Sequence, residues 1–196
     1  MASLPPSSSA SATIQRYSLK GFSSRSALNE SFQQLYVAEK ADPLSAEIHR
    51  RLARALSLTR RYEKALEYCQ KLRSSDINRP PLLARVLVGQ GRFGEAIELL
   101  AETPDSSVGT GLLGYAHARA GRREEAEKLA AASQNPQEQV LIFAGLGDKD
   151  RVFEALDRLA TRGPARVGWA LVGPHLALIR GDPRVQALRK RVGLPQ

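Results

Sequence analysis

Three glycines in GQGRFG (Gly89, Gly91, Gly94) have the spacing that lets a backbone approach a pyrophosphate at a helix N-terminus, the chemistry of dinucleotide binding. That chemistry also needs a strand before the motif, a helix after it, and an acidic residue about 20 positions on in a following strand. LARVLV before the motif is strand-like, but no such acid follows in a strand and no alternating strand pattern occurs elsewhere. The segment also falls in phase with turns at Arg60 and Gly121, so the glycines read as a repeat turn.

The remaining reactive side chains are sparse. Cys69, the single cysteine, falls on the apolar side of a helical pattern, where a free thiol behaves as a small buried hydrophobe. His49, His117 and His175 are scattered, and none stands at i, i+4 from a second ligand type. No nucleophile elbow is present. The expectation is a non-enzymatic chain with no cofactor and no metal.

What positions side chains here is repetition. The pairs Leu52-Ala53, Leu83-Ala84 and Leu113-Gly114 lie 31 and then 30 residues apart, and Ala65, Ala96 and Ala126 keep the same interval. Apolar residues on either side follow helical spacing, with Tyr62, Phe93, Gly91 and Gly121 at the turns. Small residues allow close helix crossings, and glycine ends a helix in left-handed geometry without strain. The three alanines are therefore expected to be buried at crossings. A period of this length means stacked helix pairs, an all-α solenoid, and function through a surface.

Composition agrees. The 196 residues are 42% hydrophobic but only 6% aromatic, and a formal net charge of +9 favours acidic partners. No apolar run approaches the roughly 18 residues of a membrane span. Residues 1–29 contain no acid, nine serines and only three basic residues, and are expected to be a disordered Ser-rich tail. A cytoplasmic location follows, with an organelle as the alternative if that tail acts as a transit peptide. Helices begin near Ser31, the first stopping at Asp42-Pro43, with Ser45 placed to cap the next. About nine or ten helices are expected.

On these residues the chain resembles the tetratricopeptide repeat family. AEIHRRLARALSLTRRYEKALEYCQKL is the nearest unit, although His49 stands where a large aromatic is usual. VLIFAGLGDKDRVFEALDRLA forms a fourth, with Val152 in place of the small alanine. The resemblance implies a right-handed superhelix over 30–196, with a partial repeat at 30–43. Full repeats follow at about 46–76, 77–106, 107–135 and 136–162, and a C-terminal cap at 163–196.

In that family the leading helix of each pair lines a concave groove. Transferred onto this chain, the pattern selects Arg50, Arg54, Arg85, Tyr115 and Arg119 as peptide-binding residues. Arg50 and Arg54 are i, i+4 on one helical face, so their guanidinium groups can converge on one anion. The implied function is a non-catalytic adaptor whose protein partner supplies an acidic or extended peptide segment. The segment VGPHLALIRGDPRVQALRKRVGLP resembles the closing part of such tails in bacterial signalling proteins. The alternative is therefore a detached regulatory tail acting with a separately encoded effector. Nonspecific nucleic-acid contact through Arg60-Arg61, Arg122-Arg123 and Arg189-Lys190-Arg191 ranks third.

Overall fold

A computed structural model describes residues 25–103 and 107–194, and within them all regular structure is helical. The helices are α1 (Arg25–Ala41), α2 (Ala46–Leu58), α3 (Tyr62–Lys71), α4 (Arg79–Gly89), α5 (Phe93–Ala101) and α6 (Ser107–Arg119). They continue as α7 (Arg123–Ala132), α8 (Pro136–Leu146), α9 (Lys149–Ala160), α10 (Pro164–Val172), a 3-10 segment (Pro174–Ile179) and α11 (Pro183–Arg191). Residues 1–24 of the expected tail lie outside the described residues, and α1 starts at Arg25, ahead of Ser31. The surplus over nine or ten helices comes from the C-terminal end. Prolines at the helix starts there, with Gly163 and Gly173 as N-caps, cut the closing segment into short pieces.

Each leading helix packs on the helix that follows it and on the next leading helix, so α2, α4, α6 and α8 form one continuous row. The row ends on the 3-10 segment, which packs against α8. Ala65, Ala96 and Ala126 are completely buried, as are Leu52, Ala53, Ala84 and Val152. The row is closest between α6 and α8. A Cβ on Gly114 would stand 2.5 Å from Ile142, and one on Gly145 would stand 3.0 Å from both the Tyr115 backbone and Ala118.

The turn between paired helices is the same object four times. Just beyond each leading helix one residue donates its N–H five residues back: Arg61 to Leu56, Arg92 to Leu87, Arg122 to His117 and Asp148 to Phe143, at 2.9–3.0 Å. This is the 6→1 bond of a Schellman cap, and it requires a left-handed residue just before the donor. Gly91, Gly121 and Gly147 supply it with φ near 80°, and Arg60 supplies it at φ 60°. Arg60 is the one non-glycine residue with positive φ among those described.

These facts dispose of GQGRFG as a nucleotide cradle. Gly89 ends a helix rather than a strand and lies beneath the Tyr62 ring, Gly91 makes the left-handed cap, and Gly94 opens onto space. His49 behaves as the aromatic it replaces. It is buried, with its ring centroid 5.8 Å from that of Tyr68. The Tyr68 hydroxyl donates to Glu39 at 2.8 Å, and Lys71 pairs with the same carboxylate, which ties α1 to α3. Ser45 occupies the N-cap of α2 but its side chain makes no capping hydrogen bond.

Candidate functional site

The five arginine and tyrosine positions expected along the groove do not converge as one set. Arg50 is drawn away by carboxylates on both sides, with Nη1 2.8 Å from Asp76 and Nη2 2.9 Å from Glu47. Arg119, at the exposed end of α6, packs over the Phe93 ring at 5.9 Å. Neither lines the cavity that opens beside α2 and α4.

Arg54 and Arg85 do. They project from α2 and α4 into a cavity of about 410 Å³ whose other walls come from α8, α10 and the 3-10 segment. Arg54 lies over the Trp169 ring, its guanidinium carbon 4.7 Å from the ring centroid, and its Nε is buried without a hydrogen-bond partner. Burial lowers its pKa. Arg85 is pushed down further, to about 9, by burial and then by the Arg54 charge, and stays protonated at neutral pH. No carboxylate lies within ion-pair distance of either guanidinium among the described residues.

One acid, Glu138, shares the cavity wall, but its oxygens are committed. Oε2 accepts from the Ser133 hydroxyl at 2.6 Å and Oε1 from the Asn135 amide at 2.9 Å. Asn135 also caps α8, accepting from the Gln137 N–H at 3.1 Å. Arg166 adds a third cationic side chain at the exposed rim.

The floor is His175. It is buried, its Nε2 has no hydrogen-bond partner, and its pKa is pushed down to about 3 by burial and by the neighbouring Arg85 charge. The imidazole is therefore neutral at physiological pH. Tyr115 meets it edge-on, ring centroids 4.8 Å apart, so Tyr115 stands behind the cavity as support for the imidazole. Three residues absent from the sequence expectation thus help to build the site: Trp169, His175 and Arg166. Their spacing carries no signal, because they reach α2 and α4 only when the closing segment folds back.

The arrangement offers charge and hydrogen bonding rather than bond-making groups. Cys69 is fully buried away from this cavity, and burial pushes its thiol up to about 11, which opposes thiolate formation at neutral pH. Among the described residues no helix is long and apolar enough to cross a membrane.

No curated protein and no solved structure matches the chain. A model of the tetratricopeptide repeat matches residues 30–80 and 82–138, together more than half of the sequence. With the paired helices, the buried alanines and the recurring left-handed caps, that match establishes the identity of the fold unit: the chain belongs to the tetratricopeptide repeat family.

Proposed function

We propose that the protein is a non-catalytic adaptor that holds an acidic or extended peptide segment of another protein in its concave groove. Membership of the family indicates a protein–protein interaction scaffold in general. The observation that carries the narrower reading is the pair Arg54 and Arg85, two cations with no carboxylate partner among the described residues, at the wall of a cavity on the leading-helix row. Leaving a partly buried charge unpaired is costly, and an incoming carboxylate relieves that cost with directional, often bidentate bonds. Arg50 makes such bonds within the chain already, and Arg119 does not reach the cavity. We therefore assign the contact to Arg54 and Arg85, with Tyr115 acting through His175.

The test is binding of labelled Asp/Glu-rich peptides, followed by anisotropy at fixed ionic strength. Arg85→Gln should weaken binding by about tenfold or more, equivalent to roughly 1.4 kcal/mol. Lys128→Gln, an equal loss of charge at an exposed site on α7, should change it little. Equal losses from both would mean that net charge alone attracts the peptide. Recovery of salt-sensitive nucleic acid only, from a pull-down with the intact repeats, would instead favour nonspecific phosphate contact.

A further inference from the structure

The same cavity carries more charge than one carboxylate can neutralise. Arg54 and Arg85 lie close enough for one to depress the other's pKa, and Glu138 is occupied by Ser133 and Asn135. With Arg166 at the rim the wall carries three cations against the one carboxylate of Glu138, so a monoanion would leave a positive charge behind in a partly dry site. A phosphate monoester carries about −1.5 to −2 charges at neutral pH and three strong acceptor oxygens, enough for two guanidinium forks.

The third polar group fits the same ligand. His175 Nε2 is buried and unpartnered in the cavity floor. A neutral imidazole carrying its proton on Nε2 donates to a phosphate oxygen without adding charge. The first turn of α8 lines the same cavity through Asn135 and Gln137, which places the positive end of that helix's dipole there. Its capped Gln137 N–H is already taken by Asn135, so the helix contributes field rather than a direct bond. Leu58, Leu141 and Ala170 supply an apolar wall for the organic stem that bears the phosphate. A volume of about 410 Å³ suits one such group with its stem.

We propose that this cavity is a site for a phosphate monoester dianion, held by Arg54 and Arg85 with His175 as a neutral third contact. The proposal deepens the groove reading, since it uses the same wall, but it names a different chemistry for the group that enters. Two sources can present it: a phosphorylated side chain of a partner, or a free small phosphate ester.

Titration calorimetry on the full chain decides it, using O-phosphoserine, inorganic phosphate, succinate and sodium chloride at matched ionic strength. O-phosphoserine should bind at least about tenfold tighter than succinate, and inorganic phosphate should compete with it. Arg85→Gln should remove at least about tenfold of that affinity, and Lys128→Gln almost none. A phosphoserine-containing peptide then separates the sources: a further gain of about tenfold over O-phosphoserine identifies a phosphorylated segment, and no gain identifies a free ester. Should Arg85→Gln fold poorly by circular dichroism, Arg54→Gln and ³¹P line broadening on the unaltered protein replace it. Succinate binding as well as O-phosphoserine, equal losses from Arg85→Gln and Lys128→Gln, or no broadening would overturn the proposal. Acidic peptides that bind without competition from phosphate would overturn it while leaving the groove reading intact. Phosphoserine binding with no peptide binding would do the reverse.

Discussion

Tyr115 and His175 meet edge to face, ring centroids 4.8 Å apart at 62°, so a residue of the third leading helix supports the imidazole of the closing segment. That packing excludes water from a titratable ring, and its first consequence is a pH dependence. The unfolded imidazole titrates near 6.5, whereas the folded one is held down to about 3. Between those values the unfolded chain binds a proton that the folded chain refuses. Stability is therefore intact above pH 6.5 and falls as pH falls through that value.

Urea denaturation at pH 7.5 and pH 5 should show a loss of up to about 2 kcal/mol at the lower pH. His117, also lowered by burial and by Arg122, works in the same direction, while lowered carboxylates such as Glu39 respond mostly at lower pH. His175→Asn should remove most of the difference. An unchanged slope in that variant would mean that His175 is solvated.

A second expectation concerns Arg60. It adopts φ 60° where the other repeats place glycine, and a side chain in left-handed geometry costs about 1–2 kcal/mol, partly offset by the lower entropy of a non-glycine in the unfolded chain. Arg60→Gly should raise stability by about 0.5–1 kcal/mol by the same denaturation assay. The neighbouring Arg61, at φ −90°, should lose stability on the same change. Gains at both positions would point to charge rather than backbone geometry.

The close row of leading helices makes a third. A methyl group at Gly145 would press on the Tyr115 backbone and on Ala118, both at 3.0 Å. Gly145→Ala should cost about 1–3 kcal/mol, and Ala96→Leu at a fully buried crossing should cost a similar amount. Gly94→Ala, facing open space on α5, serves as the control and should be neutral or slightly stabilising. Thermal melts that rank these three changes otherwise would contradict the packing.

The fourth joins the two ends of the molecule. A double-mutant cycle on Arg54→Gln and Trp169→Leu should return a coupling of about 0.5–2 kcal/mol, the range for a cation held over an indole face. Additive effects would mean that the stacking has no energetic content.

The repeat frame was legible in the sequence because it is local. Ala65, Ala96 and Ala126 recur at a constant interval, and the Gly91 and Gly121 turns report a backbone geometry that few residues tolerate. The candidate site was legible only by half. Arg54 and Arg85 follow from their places on leading helices, but Arg50 satisfies the same helical spacing and is captured by Asp76, which only tertiary contact reveals. Trp169 and His175 lie in a segment with no repeat phase, and their approach to α2 and α4 depends on how the whole stack curves. Periodicity reports neighbours along the stack and is silent about its ends.

The stacking of Arg54 over Trp169 changes what kind of object the stack is. A ladder of helix pairs that touches only its neighbours can fray from either end, one rung at a time. Here the first full rung is clasped to the closing segment across the hollow, so release of α10 exposes α2 as well. Melting then has to open a loop rather than shorten a chain. Amide hydrogens in α2 and α10 should consequently exchange together, as one cooperative unit.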